Sequence, residues 1–94
     1  MLGIRFSWDE KKNWINRRKH GVSFEEARSA FYDESAKVYF DPDHSSDEDR
    51  FILLGISSRR RVVVVCDCYR EGDSVIRIIS ARRADRREQE DYLK

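Results

Sequence analysis

Apolar and polar residues alternate from Ile4 to Trp8, with the two-residue period of a half-buried strand. Asp9 follows as a suitable helix N-cap, and a stretch without Gly or Pro and with little β-branching then runs to His20. Gly21 comes next, at the position where a left-handed C-cap is needed. The pattern predicts a first strand followed by a first helix that ends at His20.

A second helix is predicted directly after the first. The run Ser23-Phe24-Glu25-Glu26 matches a capping box, in which the serine oxygen accepts from the backbone of Glu26 while the Glu26 side chain reaches back. Phe24, Ala27 and Phe31 then recur at helical spacing. We expect these three side chains to form the buried face of the second helix.

The second half of the chain has the pattern of strands separated by short polar segments. Val38 and Phe40 mark a short strand that stops at Asp41-Pro42, because proline cannot donate to a ladder, and the acidic run to Asp49 is predicted to be a loop. Three apolar-rich strands follow, from Arg50 to Ile56, from Arg61 to Tyr69 and from Ser74 to Ala81. Their short connections predict an antiparallel meander, and the helix formers from Ala84 to Lys94 predict a closing helix.

The resulting element order is β-α-α-β-β-β-β-α, which favours an α+β fold. We expect an antiparallel sheet with the two N-terminal helices packed on one face, the other face partly open, and the C-terminal helix closing the fold. The 94 residues are 39% hydrophobic and 12% aromatic, which is enough apolar surface for a packed core. We therefore predict a single domain over residues 1–94.

The distribution of charge is more informative than its sum. Nineteen Lys and Arg residues nearly balance eighteen Asp and Glu residues, so the net charge of +1 does not indicate a polyanionic partner. Acidic residues crowd between positions 41 and 49, whereas basic residues crowd at 17–20, 59–61 and 82–87. These separate blocks predict a surface with one basic side, as in proteins that bind nucleic acid.

Two features of the sequence predict a cytoplasmic protein without a membrane partner. No stretch has the apolar length that spans a bilayer, and the first residues lack the pattern of a signal peptide. Cys66 and Cys68 are the only cysteines, and residues two apart on a strand do not easily reach disulfide geometry. We expect both to be free thiols in a reducing compartment.

Arg77 is a charged residue on an apolar strand. Alternation predicts that it shares a face with Val75, Ile79 and Ala81. One interpretation is a structural arginine paired with a carboxylate such as Asp67. The other is a fixed cation that lines a pocket on the open face of the sheet, and the sequence does not decide between them.

Arg82 and Arg83 follow at the predicted junction of strand and helix, and Arg86 and Arg87 add positive charge to the first turn of the helix. The planar guanidinium group suits bidentate contact with phosphate and stays charged at any working pH. Arg86 and Arg87 can equally pair with acidic neighbours along a solvated helix face, which is the interpretation we favour for those two.

Four further residues could exchange protons with a substrate. Glu88 and Tyr92 lie four residues apart on one face of the last helix, although a terminal tyrosine is more often a packing anchor. Lys19 and His20 end the first helix, where histidine could act as a general base, although the helix dipole alone favours cations there. His44 and the two cysteines lack the partners and spacing of metal ligands, so no metal site and no cofactor are predicted.

Taken together, a set of short motifs resembles the BrnT family. They are Trp8-Asp9, Lys12, Asn16, the run from Lys19 to Ala27, Arg50-Phe51, the run from Arg77 to Arg82, Glu88 and Tyr92. Their order and spacing extend through nearly the whole chain. Glu10 departs from the family, which often has proline at the first helical position.

The resemblance implies a RelE-like fold and the activity of a ribonuclease toxin of a type II toxin-antitoxin system. It implies RNA as the substrate, inhibition of translation and growth, and neutralisation by a BrnA-like antitoxin, with DNA contacted only through the antitoxin complex. The cleavage it suggests needs no metal: a ribose 2′-hydroxyl attacks the adjacent phosphate while the protein stabilises the phosphorane and moves protons.

The roles within this mechanism are hypotheses. Arg77 and Arg82 would stabilise charge, His20 or Glu88 would act as base, and Tyr92 or Lys19 would assist proton delivery. Arg83, Arg86 and Arg87 would contact the RNA backbone. The alternative is a non-catalytic module of RelE-like fold that binds RNA or joins a DNA-bound complex.

Overall fold

A computed structural model describes residues 4–94 and contains the eight predicted elements in the predicted order, which confirms the α+β class. The elements are β1 (Arg5–Ser7), α1 (Glu10–His20), α2 (Phe24–Ala30), β2 (Lys37–Phe40), β3 (Arg50–Ile56), β4 (Val62–Arg70), β5 (Val75–Arg83) and α3 (Arg86–Leu93). A 3₁₀ turn at Pro42–His44 interrupts the acidic loop. No helix within residues 4–94 is long and apolar enough to cross a membrane.

The five strands form one sheet in the order β1-β5-β4-β3-β2. The meander from β2 to β5 is antiparallel, as predicted, but β1 pairs in parallel with β5 through Phe6 opposite Ile76. The sheet is therefore mixed, and the expectation of a wholly antiparallel sheet is wrong at this edge. A strand joined to its neighbour by a hairpin has its direction fixed by the turn, whereas β1 reaches β5 only through tertiary packing.

Helices α1 and α2 pack on one face of the sheet and bury the main core. Its members are apolar residues from α2, from the connection before it and from the three longest strands: Val22, Phe24, Ala27, Ala30, Leu53, Val63, Val65, Ile78 and Ala81. Phe24 and Ala27 are fully buried, as predicted, while Phe31 ends the helix and packs at the margin. This packing leaves the opposite face of the sheet for α3.

A β-bulge in β5 changes which residues share a face with Arg77. On β4, the neighbours Cys66 and Asp67 pair with Ser80 and Ile78, so that Ile79 is the additional residue. Ala81 consequently packs in the helix-side core, on the face opposite Arg77. The prediction that Arg77 and Ala81 share a face is wrong, because strict alternation does not hold across a bulge.

The helix caps agree with the sequence except for one side chain. The carboxylate of Asp9 accepts from the backbone of α1, Gly21 adopts the left-handed C-cap with φ 72°, and Ser23 caps α2 by accepting from Glu26 N at 3.0 Å. The Glu26 carboxylate does not reach back to Ser23. It instead accepts from the Arg61 guanidinium at 2.7 Å, because the sheet brings that cation within reach of a 4% exposed carboxylate.

Helix α3 covers one end of the opposite sheet face. Ala84 and Tyr92 pack there on Leu54 and Val64. The helix starts with a reciprocal capping box that is absent from the predicted features: Asp85 accepts from Glu88 N and Glu88 accepts from Asp85 N. The helix begins at Arg86 rather than Ala84, and β5 continues through Arg82 and Arg83.

Asp67 is a buried carboxyl group on the helix side of β4. It is 2% exposed and makes no side-chain hydrogen bond or ion pair with any residue of the described range 4–94. Burial raises the pKa of Asp67 from 3.8 to about 7. Tyr69 and the Asp33 carboxylate line the same small cavity, and neither supplies positive charge.

This raised pKa predicts how stability depends on pH. Between about pH 4 and pH 7 the folded protein holds a proton on Asp67 that the unfolded chain releases, so the free energy of unfolding should fall as pH rises through this window. Asp67→Asn should remove the contribution of Asp67 to the slope and stabilise the protein above the window by on the order of 4 kcal/mol. Urea titrations below and above the window test this.

The matched control is Asp73→Asn, which removes an exposed carboxylate at a left-handed position that asparagine tolerates. It should leave the slope unchanged. A slope that persists in Asp67→Asn would mean that another group titrates with folding.

Candidate active site

The open face of the sheet carries a cavity of about 330 Å³ between β3, β4, β5, the end of α1 and the acidic loop. It is lined by polar and apolar side chains together: His20, Asp41, His44, Arg50, Ile52, Val64, Cys66, Ile79, Ser80, Ala81 and Arg82. Both histidines of the chain and two arginines therefore meet at one concave surface. The strand side chains form an apolar floor, and the charged groups stand around it.

His20 reaches this cavity because a buried asparagine ties α1 to β5. Asn16 is 7% exposed, and its amide nitrogen donates to the carbonyl oxygens of Val22 at 2.9 Å and Ala81 at 2.7 Å. Its amide oxygen accepts from Ala81 N at 3.2 Å. Asn16 thus takes the place of a neighbouring strand on the edge of β5 that faces away from β4. These bonds fix the last turn of α1 beside Ala81, the residue that precedes Arg82.

Arg82 is held by Glu88 in a two-point ion pair. Its Nη1 and Nη2 atoms donate to the two Glu88 carboxylate oxygens, each at 2.8 Å. The hydrogen bonds from Arg82 lower the pKa of Glu88, and the same bonds raise the pKa of Arg82. Since Glu88 also caps α3, strand β5 and helix α3 together orient this guanidinium at the edge of the cavity.

His44 comes to the cavity on the 3₁₀ turn of the acidic loop. Its Nδ1 atom lies 2.9 Å from an Asp41 carboxylate oxygen, so the carboxylate orients the ring. From the sequence, His44 is a candidate only for a metal ligand, and it is not predicted for this site. The Asp41-Pro42 step, which sets the turn, was the available signal.

Arg50 is the second arginine at the cavity and was also missed as a site residue. It begins β3 opposite Cys68, and its nearest carboxylate is Glu48, with 3.7 Å between the Nη2 and Oε1 atoms. Its Nε atom is buried and has no hydrogen-bond partner within residues 4–94. Such a guanidinium retains donors for an anion, and its presence in the family motif was the signal that the sequence contained.

The two cysteines behave as predicted. Both are free thiols. Cys66 lines the cavity, and Cys68 is buried on β4. Burial raises the pKa of each thiol, so neither is poised to act as a thiolate nucleophile. Within the described chain, no group of three or more His, Cys, Asp and Glu side chains is arranged to hold a metal ion.

Arg77 lies on the open face but outside the lining of the cavity. Its Nη1 atom is 3.5 Å from the Ser7 hydroxyl on β1, and it forms no ion pair in the part of the chain that the structure describes. Asp67 does not face it: Arg77 lies opposite Cys68 on β4, and Asp67, the residue before Cys68, points to the other face of the sheet. The interpretation of a structural ion pair with Asp67 is therefore wrong, and Arg77 remains available as a cation beside the site.

The remaining predicted residues occupy the margins. Lys19 is exposed at the end of α1, next to His20. Arg83 and Arg87 are exposed without ion pairs among residues 4–94, while Arg86 approaches Glu90 at 3.8 Å in a fully solvated contact.

Tyr92 packs on the sheet at the far end of α3 from Arg82. Its hydroxyl donates to Asp33 Oδ2 at 2.6 Å, and this hydrogen bond raises the pKa of the phenol. The contacts fit the packing-anchor alternative for this residue, because its one donor is already engaged away from the cavity.

Comparison with known proteins adds independent information. A family model for the ribonuclease toxin BrnT of type II toxin-antitoxin systems matches residues 8–88. The fold is similar to the crystal structure of the Brucella abortus ribonuclease toxin BrnT, with a TM-score of 0.65, 26% sequence identity, and coverage of 88% of this chain and 99% of that one. No curated protein sequence gives a significant match.

Proposed function

The chain belongs to the BrnT family of ribonuclease toxins of type II toxin-antitoxin systems, and from this premise we propose that it cleaves RNA at the cavity of the open sheet face without a metal ion. The observation that carries the proposal is the meeting of His20, His44, Arg50 and Arg82 around one concavity. Two imidazoles and two guanidinium groups supply proton transfer and charge stabilisation, which are what phosphodiester cleavage requires.

In the proposed reaction the ribose 2′-oxygen attacks the adjacent phosphorus in line and the bond from phosphorus to the 5′-oxygen breaks. The products are a 2′,3′-cyclic phosphate and a 5′-hydroxyl. One histidine takes the proton from the 2′-hydroxyl and the other gives a proton to the departing oxygen, so protons balance within the step. Arg82 and Arg50 stabilise the negative charge of the crowded phosphorane oxygens.

The other predicted residues have supporting roles in this proposal. Glu88, with its carboxylate fully engaged, positions Arg82 rather than acting as base. Arg77 and Lys19 contribute positive charge along the path of the backbone, and Arg83, Arg86 and Arg87 extend it at the end of β5 and the start of α3. Tyr92 anchors α3.

The family also implies an RNA substrate and an antitoxin. We propose that the antitoxin is BrnA-like, that it blocks the cavity in the complex, and that DNA is contacted only through it. The protein would then act in the cytoplasm, where its RNA is found, and its effect would be arrest of translation and growth.

The test is incubation of the purified protein with a labelled RNA in the presence of EDTA. We expect cleavage to continue, and mass spectrometry to show a 2′,3′-cyclic phosphate on the 5′ fragment. Intact RNA in EDTA together with cleavage after magnesium is restored would contradict the metal-free mechanism. RNA that is bound but never cut would favour the non-catalytic alternative.

A further inference from the structure

A second surface lies on the helix side of the sheet, on the part of that face that α1 and α2 do not cover. It is formed by apolar side chains of β2, β3 and β4, most of them well exposed: Val38, Phe40, Phe51 and Tyr69. Phe40, Phe51 and Tyr69 are joined edge to face, with ring centroids 5.8 and 5.4 Å apart. We call this surface the aromatic patch, and a contiguous exposed patch of this kind is typical of an interaction site.

The patch contains a cavity of about 220 Å³ with a buried carboxyl group in its wall. Phe31, Val38, Leu53 and Tyr69 line the opening together with Asp67. Asp67 is 2% exposed, and its side chain forms no ion pair among residues 4–94. A carboxyl group that is largely removed from water and paired with no cation is costly to the folded protein, and a cation bound in this cavity would offset that cost.

The charged residues around the aromatic patch indicate which charge its ligand carries. Asp33 lines the same cavity as Asp67, and Asp49 and Asp73 line the adjoining hollow with Phe51 and Tyr69. Neither hollow has a Lys or Arg among its described lining residues. The patch therefore repels RNA phosphate and attracts a cationic group that also carries apolar surface.

We propose that the aromatic patch binds a protein partner through an apolar segment whose arginine side chain enters the cavity and pairs with Asp67. A guanidinium group fits because it is weakly hydrated, stacks on aromatic rings and donates two parallel hydrogen bonds to a carboxylate. Aromatic and arginine side chains are also the usual energetic centres of protein interfaces. The flanking apolar residues of the segment cover Val38, Phe40 and Tyr69.

This surface is separate from the proposed ribonuclease site. Cys66 faces the catalytic cavity while Asp67, the next residue on β4, faces the patch on the other side of the sheet. A partner can therefore hold the patch while the cavity stays open. The proposal does not depend on catalysis, and its test does not use RNA cleavage.

The test uses an array of short peptides, each with one central arginine between varied Leu, Val, Phe and Ser residues, and each with a twin in which glutamine replaces the arginine. The best arginine peptides should bind the wild-type protein roughly tenfold or more tightly than their twins. In Asp67→Asn the preference should disappear. Thermal midpoints check that each variant is folded.

A second pair of variants leaves Asp67 in place. Val38→Arg puts a guanidinium at the cavity mouth and should weaken binding of the arginine peptides roughly tenfold, whereas Val38→Gln changes the same exposed position without a charge and should weaken it much less. Equal binding of the twin peptides, absence of binding to any peptide, or a preference that survives in Asp67→Asn would overturn the proposal. Self-association of the wild-type protein that Val38→Arg abolishes would also overturn it, in favour of a second copy as the occupant.

Discussion

Replacing Arg82 by alanine is expected to slow RNA cleavage by roughly 100- to 1000-fold, the usual cost of removing one charge-stabilising donor from an active site. The guanidinium lines the cavity, and the two hydrogen bonds that it donates to Glu88 hold it in one orientation. Stability should change little, because the arginine side chain is 45% exposed. Initial rates on a labelled RNA, with the thermal midpoint of each variant, measure both effects.

Arg59→Ala is the matched control for charge. It removes the same charge from an exposed turn between β3 and β4 that does not line the cavity. We expect a change in rate of no more than about threefold, since a distant surface charge acts only through screened long-range attraction. Equal losses in Arg59→Ala and Arg82→Ala would show that overall charge, not a positioned group, supports the reaction.

Arg82→Lys should recover little activity, because an ammonium cannot make the two-point contact with Glu88.

Replacing Glu26 by alanine is expected to lower the free energy of unfolding by about 3 to 5 kcal/mol, the range for breaking a buried ion pair. The carboxylate accepts from Arg61 Nε and Nη2, each at 2.7 Å, and from the Ser57 hydroxyl at 2.7 Å. Without it, the Arg61 guanidinium loses its carboxylate partner and keeps only the Gly21 carbonyl oxygen as acceptor, and the buried Ser57 hydroxyl loses its acceptor. Chemical denaturation of both proteins measures the difference.

Two comparisons sharpen this expectation. Glu34→Ala removes an exposed glutamate that makes no side-chain hydrogen bond or ion pair within residues 4–94, and should cost less than about 0.5 kcal/mol. The hydrogen bonds from Arg61 lower the pKa of Glu26 below 4.5, so its contribution is present above that pH and is lost as pH falls through the lowered value. If Glu26→Ala had the same free energy of unfolding as wild type at neutral pH, the attraction within the ion pair would only offset the cost of removing its two charges from water.

The same ion pair also connects stability with the proposed site. Arg61 donates to the carbonyl oxygen of Gly21 at 2.6 Å, and Gly21 is the C-cap residue directly after His20. Loss of Glu26 should therefore loosen the end of α1 as well as the core. We expect Glu26→Ala to reduce cleavage at temperatures where the protein is still folded.

The site was partly predictable from local signals. His20 could be proposed because the helix pattern and Gly21 fix where α1 ends, and Arg82 because it follows a clear strand. His44 and Arg50 could not be proposed on the same grounds. They lie on a loop and at a strand start, and they meet His20 and Arg82 only when β3, β4 and β5 pair in their final register.

The sequence by itself determined the number, type and order of the elements, the helix caps at Asp9, Gly21 and Ser23, and, through motifs along the whole chain, the family. These depend on periodicity, capping and turn chemistry, which act over a few residues. The tertiary structure decided the parallel edge strand β1, the bulge at Ile79, and the two opposite faces on which a cavity and an aromatic patch form. Those features arise from contacts between residues far apart in the chain, and no local pattern specifies which distant partner a residue will meet.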